Sequence, residues 1–359
     1  MSTRPRIYLD HAATTPILPA AKAAMIDAME RWANPSSPHA EGRAAKAALE
    51  DARERIKRAL GWDGELIFTS GATEAIDIAL NRSRVGNRYV TAVEHEAVLR
   101  SGADATRMSV DADGRVNLSE VEDIDWADPP ALLAVQWCNS ETGVIQPIEP
   151  IGLRKLASEA LLLVDASQME PGWDPAVPRF SDFMIVSGHK HGGPPGVGAL
   201  LVRDLGTLSA TGGQERGYRS GTENLPAILG FAVAMEARQG WFEAAAALRA
   251  RLERDLVAAG GEIVAANAIR TPTIGAYRMP GVPAAAQLVH FDLAGISVSA
   301  GSACSSGSLR SSHVLPAMGM SEKDAQEVIR VSIGPETDES DLDGFLIEWR
   351  RLYERRSAA

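Results

Sequence analysis

The sequence of 359 residues contains little cysteine and no long apolar run. With only two cysteines, Cys138 and Cys304, a disulfide framework cannot hold the fold together, and both residues should be thiols in a reducing compartment. No stretch approaches the roughly 20 apolar residues that cross a bilayer, and the first residues lack the apolar run of a signal peptide. We therefore expect a cytoplasmic protein that does not enter membranes.

Positive charge is scarce as well. The chain has 36 Lys and Arg against 47 Asp and Glu, which gives a formal net charge of -11. Phosphate backbones repel such a surface, so nucleic acid is not an expected partner. The hydrophobic share of 45% is ordinary for a globular protein, and 359 residues are too many for one simple core. The composition therefore predicts a chain of two lobes.

From about residue 20 to residue 240 the pattern alternates between helix and strand. Residues 44–60 carry apolar side chains at helical spacing, whereas Leu161–Asp165 and Phe183–Ser187 are apolar without alternation. Such runs are typical of parallel strands that helices cover on both faces. The sequence therefore predicts an α/β fold, in which ligands bind beyond the carboxyl ends of the strands.

The last third of the chain has a different pattern. One long helix is predicted from about residue 224 to residue 259, and the remainder mixes short strands with helices. We expect a large domain over residues 15–245 and a smaller α+β domain formed by residues 1–14 and 246–359.

Lys190 follows one of the apolar strands, in a loop of glycines, histidines and prolines. An arbitrary lysine in such a loop is usually exposed and has no role. Here glycines allow a ligand to approach the backbone, and Ser187 and His189 can donate hydrogen bonds to a phosphate. An amine that loses its proton in such a place can form a Schiff base with an aldehyde.

Asp165 ends the strand that precedes the strand of Lys190. It could cap a helix, because Ala166 and Ser167 follow it. It could also keep the pyridine nitrogen of pyridoxal phosphate (PLP) protonated, which makes the ring an electron sink. Taken alone the two hypotheses are even, but the lysine one strand later favours the cofactor.

Two more strand ends carry polar side chains. The segment 69–74, Thr-Ser-Gly-Ala-Thr-Glu, joins a strand to a helix, and free N–H groups at helix N-termini bind phosphate. Such segments are also common as purely structural helix caps. His95 ends another strand; a lone histidine is usually structural, whereas one stacked on a cofactor ring could move protons near neutral pH.

Nine motifs follow one another along the chain. They are Tyr8-Leu-Asp-His-Ala-Ala-Thr-Thr-Pro, Asn34-Pro-Ser-Ser-Pro-His, Thr69-Ser-Gly-Ala-Thr-Glu, Glu94-His-Glu-Ala-Val, Asn139-Ser-Glu-Thr-Gly, Val164-Asp-Ala-Ser-Gln, Ser187-Gly-His-Lys, Gln214-Glu-Arg-Gly-Tyr-Arg-Ser-Gly-Thr-Glu-Asn and Gly301-Ser-Ala-Cys-Ser-Ser-Gly-Ser. In these motifs and in their order, the sequence resembles the cysteine desulfurases of the NifS/IscS type, within the class V aminotransferases.

The resemblance implies a PLP-dependent transferase of fold type I that works as a homodimer. Its large domain would contain a mainly parallel seven-stranded sheet flanked by helices, and its smaller α+β domain would carry the Cys304 loop. The resemblance assigns cofactor binding to Lys190, Asp165, Gln168, His95, Ala72, Thr73, Ser187, His189, Asn139 and, across the subunit interface, Thr222. It assigns substrate binding to Asn139, Asn34 and Arg330, the last because a guanidinium fork meets a carboxylate in two bonds. No metal ligands are predicted.

Cys304 lies in a segment of small residues, Ser299-Ala-Gly-Ser-Ala-Cys-Ser-Ser-Gly-Ser. It could be an incidental thiol in a Ser/Gly-rich surface loop, although exposed free cysteines are usually avoided. The resemblance implies that Lys190 and His95 move protons at the substrate, and that Cys304 takes the sulfur of L-cysteine as a persulfide. A sulfur acceptor or an Fe–S scaffold protein is then an expected partner. Cys138 is expected to be a small core residue.

Some features depart from the family pattern and keep rival hypotheses open. Ser140 stands where a second asparagine is common, and Pro195 stands where a lysine is common. A PLP aminotransferase or a selenocysteine lyase is one alternative, against which Cys304 argues. A non-catalytic paralogue that binds a partner desulfurase is another.

Overall fold

The computed structural model describes residues 6–124, 126, 130–156, 158–237, 241–301 and 312–356. The strands are β1 (Ile7–Tyr8), β2 (Glu65–Thr69), β3 (Arg88–Thr91), β4 (Thr106–Met108), β5 (Leu132–Gln136), β6 (Leu161–Asp165), β7 (Phe183–Ser187), β8 (Gly198–Val202), β9 (Glu262–Ile263), β10 (Ile274–Arg278), β11 (Ile296–Ser297) and β12 (Val328–Ser332).

Thirteen α-helices are assigned within the described residues. They are α1 (Pro19–Glu30), α2 (Ala40–Leu60), α3 (Ala72–Arg82), α4 (Glu96–Ser101), α5 (Leu118–Glu122), α6 (Ile148–Lys155), α7 (Ala176–Phe180), α8 (Leu225–Ala237), α9 (Phe242–Ala258), α10 (Ala284–Leu293), α11 (Val314–Ala317), α12 (Glu322–Ala325) and α13 (Glu339–Arg356). In the part of the chain that is described, no helix is both long and apolar enough to cross a membrane.

Seven strands form the central sheet, in the order β2-β8-β7-β6-β5-β3-β4. All neighbouring pairs are parallel except those of β8, which runs antiparallel to both β2 and β7. The predicted α/β class and the mainly parallel seven-stranded sheet are therefore confirmed. The predicted bounds of β6 and β7 also agree with the structure.

The central sheet is buried on both faces. All five residues of β5 are buried, and alternate residues enter opposite cores: Leu132 and Ala134 pack with α3 and α4, whereas Leu133 and Val135 pack with α2 and α8. This is the reason that the strand sequences show no polar alternation. Polar side chains on these strands are consequently confined to the strand ends.

A second, smaller set of strands belongs to the C-terminal part of the chain. The antiparallel sheet β12-β10-β9 packs against α9, α10 and α13, and the short β1 pairs in parallel with β11. The N-terminal strand thus lies beside a C-terminal strand. The boundaries after residues 14 and 245 stay a prediction.

The prediction of one long helix from residue 224 to residue 259 was wrong. The structure has two helices: α8 ends at Ala237 and α9 begins at Phe242, with Trp241 outside both. The sequence marks the break only by Gly240, because glycine is a poor helix former. The ring of Phe242 packs against those of Trp173 and Trp241, so aromatic contacts fix the start of α9.

A buried ion pair anchors the loop that contains Thr222. Arg53 of α2 donates to both carboxylate oxygens of Glu215, at 2.8 and 3.1 Å, and Phe68 N donates to the same carboxylate at 2.8 Å. Glu215 and Arg216 have φ of 51° and 57°, in the left-handed region that costs most residues free energy. The pair therefore holds a strained turn against the sheet.

We predict that Arg53→Met lowers the free energy of unfolding by about 3–5 kcal/mol, because it leaves the Glu215 carboxylate buried and unpaired. Urea unfolding monitored by circular dichroism measures this change. The matched control is Arg55→Met, which removes the partly exposed pair with Glu236 and should cost less than about 1 kcal/mol. Equal losses for the two variants would contradict this account of the pair.

Candidate active site

The strand register brings one row of polar residues to a single edge of the central sheet. Gly198 of β8 lies between Thr69 at the end of β2 and Ser187 at the end of β7. Asp165 at the end of β6 lies beside Gln136 at the end of β5. Residues that are far apart in the sequence therefore share one cleft at the carboxyl edge of the parallel strands.

Helix α3 begins at this edge and offers a site for an anion. Its N-cap is Gly71, with φ 151° and no side-chain cap, so the first N–H groups of the helix are left to other acceptors. Gly198 permits this arrangement, because a Cβ there would lie 2.8 Å from the Cα of Gly71. Ala72 and Thr73, the first residues of α3, line the cleft.

Lys190 lies in the turn that follows β7. Its Nζ donates to the carbonyl oxygens of Ala12 at 2.5 Å and Ala13 at 2.9 Å, and its own carbonyl accepts from Thr15 Oγ1 at 3.0 Å. The N-terminal segment that follows β1 therefore forms a wall beside the amine. Because Lys190 also lines the cleft, it is not the exposed loop lysine of the alternative hypothesis.

Asp165 forms a local turn and faces the cleft. Its Oδ1 accepts from Ser167 N at 3.0 Å, and no helix begins between Asp165 and Ala176, a stretch that the structure describes in full. The helix-cap hypothesis for Asp165 is therefore wrong. The hydroxyl of Ser167 is buried without a hydrogen-bond partner in the described structure, so this corner of the cleft retains an unused polar group.

His95 serves as the N-cap of α4 and also lines the cleft. Its Nδ1 accepts from Ala97 N at 3.1 Å, a bond that requires a lone pair on Nδ1. In the neutral ring the proton is then on Nε2, and this assignment follows from the hydrogen bond alone. His95 is thus a helix cap, in agreement with the structural hypothesis, and its role beside a cofactor ring stays a prediction.

His189 is held in its neutral form. Burial, with smaller effects of Lys190 and His95, lowers the pKa of its ring to about 4. Its Nδ1 lies 3.2 Å from Thr14 Oγ1. At neutral pH His189 can therefore offer a phosphate a neutral N–H and no positive charge.

Eight predicted site residues line this one cleft, whose volume is about 330 Å³. Ligand clefts of small molecules are typically ~300–1,000 Å³, so the cleft is large enough for a small-molecule ligand. The eight residues are Ala72, Thr73, His95, Asp165, Gln168, Ser187, His189 and Lys190. Gln168 is fixed at its Nε2, which donates to the carbonyl of Ala12 at 3.0 Å.

Arg330 lines an adjoining space that also contacts His95 and Lys190. Its Nη2 donates to Asp10 Oδ1 at 2.7 Å and its Nη1 donates to the carbonyl of Ser140 at 2.9 Å. Its Nε is buried without a partner in the described structure. The guanidinium of Arg330 therefore keeps N–H groups that an incoming carboxylate can use.

Asn139, Asn34 and Thr222 do not line the main cleft. Asn139 is buried; its Oδ1 accepts from Glu141 N, Thr142 N and Thr142 Oγ1, so it shapes its own turn. Asn34 and Thr222 are exposed on loops. Their predicted contacts stay predictions, and Cys304 lies outside the described residues.

Four residues at the site were missed by sequence reasoning. Asp10 stood only within the first motif and His313 carried no signal, since each depends on a partner remote in the sequence: Asp10 pairs with Arg330, and His313 donates to the carbonyl of Glu94 at 2.9 Å. Cys138 is buried as expected but also lines the cleft, and burial raises the pKa of its thiol. Glu94 beside His95 was quoted only as part of a motif.

Comparison with known proteins agrees with the fold described above. Residues 7–345 match the family described as aminotransferase class-V. The chain is 38% identical to an IscS-like cysteine desulfurase of Mycobacterium tuberculosis, over 94% of each protein. Its fold is similar to that of a NifS-like protein from Rickettsia africae, with a TM-score of 0.88 and 32% identity over 97% of this chain and 99% of that one.

A third similarity concerns a structure described as SspA in complex with cysteine, with a TM-score of 0.77 and 29% identity over 92% of this chain and 99% of that one. The match of the family over nearly the whole chain and the identity to curated relatives agree with the nine motifs. The chain belongs to the class-V aminotransferase family.

Proposed function

We propose that this protein is a PLP-dependent cysteine desulfurase, which converts L-cysteine to L-alanine and transfers the sulfur to Cys304. One observation carries the proposal: Lys190 and Asp165, from the ends of two adjacent strands, line one cleft with the start of α3. An amine, a carboxylate and an anion site in that arrangement match the aldehyde, pyridine nitrogen and phosphate of PLP. The named cysteine desulfurases among the relatives support the reaction.

The side chains of the cleft fit the cofactor in chemistry as well as in place. The open N–H groups of α3, with Thr73, Ser187 and neutral His189, would hold the phosphate. Asp165 would hold the proton of the pyridine nitrogen, and Gln168 would lie near the ring oxygen. His95, fixed at Nδ1 by Ala97 N, would lie against the ring.

PLP, when bound, supplies an electron sink for the bonds broken at the substrate α-carbon. The protein supplies the proton movements. Lys190 would take and return the α-proton of the substrate, and the Nε2 of His95 would serve as a second proton carrier. The carbonyls of Ala12 and Ala13 accept hydrogen bonds from Nζ of Lys190 and so hold the amine beside the cleft.

Arg330 would bind the carboxylate of L-cysteine. It is buried beside His95 and Lys190, and its Nε has no partner in the described structure. The ion pair with Asp10 and the bond to the Ser140 carbonyl fix the guanidinium plane before substrate arrives. The cysteine named with the SspA structure supports this substrate.

The sulfur step belongs to Cys304. Its thiolate would attack the substrate sulfur, the carbon–sulfur bond would break with its electron pair on the carbon, and a proton would complete alanine. Cys304 would then carry a persulfide, which a thiol acceptor or an Fe–S scaffold protein would take. Arg330 N and O pair with Ser299 at 2.7 and 3.2 Å, so the segment that leads to Cys304 begins at the substrate site.

We further propose that the protein acts as a homodimer. Three large apolar side chains are exposed on α1 and the turn after it: Ile26, Met29 and Trp32, at 49%, 57% and 47%. Asn34 follows this turn, and Ser36 Oγ donates to Gln214 Oε1 at 3.3 Å, at the start of the loop that ends at Thr222. A second copy of the chain placed here would cover the apolar stripe and bring Thr222 towards the other site.

The decisive experiment is turnover of L-cysteine by the PLP-loaded protein, with alanine and sulfide measured together. We expect equal amounts of both in the presence of a thiol reductant. Cys304→Ser should keep the visible spectrum of the cofactor and lower sulfide release at least about 100-fold, since the nucleophile is lost. Alanine formation without dependence on Cys304 would favour an aminotransferase or lyase, and a cofactor spectrum without any turnover would favour the non-catalytic paralogue.

Lys190→Ala should remove the visible absorbance band of the bound cofactor and lower turnover by at least about 100-fold, because a base at the α-carbon is lost. Absorbance of protein reconstituted with PLP, after removal of free cofactor, measures the first effect. Lys57→Ala on α2 is the control and should retain the band. A normal band in Lys190→Ala would remove Lys190 from its proposed role.

Met29→Lys combined with Trp32→Lys should convert the dimer to a monomer, because two charges would be buried at the interface without partners. Size-exclusion chromatography with light scattering measures the mass. Leu293→Lys on α10, which changes an apolar side chain that is 83% exposed, is the matched control and should stay dimeric. A dimer that survives the double substitution would place the interface elsewhere.

A further inference from the structure

Glu94 is a buried acid next to His95 that the proposed reaction leaves unused. Its side chain is 1% exposed. Its Oε1 accepts from Thr91 Oγ1 at 2.6 Å and from Gln136 N at 2.8 Å. Its Oε2 is buried and has no hydrogen-bond partner in the described structure. Burial of a carboxyl group with one unsatisfied oxygen costs free energy, so its presence beside the site needs a physical explanation.

The backbone around Glu94 is held by three separate elements. The carbonyl of Val93 accepts from Gln136 Nε2 at 2.6 Å and from Asn139 Nδ2 at 3.0 Å. The carbonyl of Glu94 itself accepts from His313 Nε2 at 2.9 Å. The two peptide units that precede His95 are thus fixed by the end of β5, by the turn after it and by the start of α11.

We propose that Glu94 is a positioning residue that holds His95 against the cofactor site by tying the segment 91–95 to the end of β5. The carboxyl oxygen joins Thr91, where β3 ends, to Gln136, where β5 ends, and so sets the direction in which the chain enters α4. The consequence for catalysis rests on the proposed function, because that function places PLP beside His95. The tie between the segment 91–95 and the end of β5 does not depend on the proposed function.

The surroundings favour the protonated form of Glu94. Burial, with a smaller effect of the Asp165 charge, raises its pKa to about 8, against the opposing effects of the Thr91 hydroxyl, the Gln136 N–H and Arg107. The other titratable side chains around the adjoining space are His95, Glu96, Glu141, Lys190, His313 and Arg330. At neutral pH Oε2 carries the proton, and above pH 8 a charge develops between two strand ends.

The experiment compares Glu94→Gln and Glu94→Ala with the wild type. Glu94→Gln keeps a neutral acceptor at Oε1 and cannot ionise, whereas Glu94→Ala removes the link. Leu252→Ala, in the separate core of α9, is the control for general loss of stability. Hydrogen exchange of the PLP-loaded proteins, followed by mass spectrometry of the peptides that cover residues 91–101 and 132–140, reports the link without reference to turnover.

We expect faster exchange in both peptides for Glu94→Ala, and exchange near that of the wild type for Glu94→Gln and Leu252→Ala. With L-cysteine, Glu94→Ala should lose at least about tenfold in kcat with little change in KM, because His95 is displaced and Arg330 is not. Above pH 8 the ratio of wild-type kcat to Glu94→Gln kcat should fall, since only the wild type ionises there. The ratio of the two kcat values removes the effects of all other titrating groups, because both proteins contain those groups.

Unchanged exchange of the segment 91–101 in Glu94→Ala would overturn the positioning role. A kcat ratio that stays constant from pH 7 to pH 9 would overturn the role of the protonated form. If no protein, including the wild type, forms alanine, the proposed function fails, and the exchange data still decide whether Glu94 holds the segment of His95.

Discussion

The burial of the central sheet on both faces is the constraint on which the site depends. With β5 wholly buried and its alternate residues in opposite cores, the strands have no exposed face on which to carry chemistry. Functional side chains are therefore confined to the strand ends, and the register places Asp165 and Ser187 along one edge. The close approach of Gly71 to Gly198 then brings a helix N-terminus to the same edge. One packing constraint thus gathers an anion site, an acid and an amine.

The two parts of the chain meet at charged and polar contacts beside that edge. Arg330, from the smaller sheet, bonds to Asp10 of the N-terminal segment and to the carbonyl of Ser140, which follows β5. Lys190 is held by carbonyls of the same N-terminal segment. The lysine and the arginine are consequently positioned by one short stretch of chain. A disturbance of residues 10–13 would affect the positions of both Lys190 and Arg330.

Local patterns predicted much of the fold, because the period of apolar residues depends on burial alone. The bounds of β6 and β7 follow from uninterrupted apolar runs. Seven of the eight predicted residues in the cleft lie at or just beyond a strand end or at the start of a helix, whereas Gln168, in the turn after β6, was assigned by the resemblance alone. The break between α8 and α9 was missed because good helix formers such as alanine and leucine stand on both sides of it. Asp10 was missed because its partner Arg330 is 320 positions away, and no local pattern encodes such a contact. Glu94 resembles any polar strand end until its buried partners Thr91 and Gln136 are known.

The central claim is that Lys190 holds PLP at this strand edge, and chemical trapping tests it most directly. Borohydride reduction of the PLP-loaded protein would fix the bond between cofactor and amine, and peptide mass spectrometry would locate the modified lysine. The account predicts one pyridoxyl group per chain, on the peptide that contains Lys190. A pyridoxyl group on another lysine, or none on a protein that binds PLP, would contradict it.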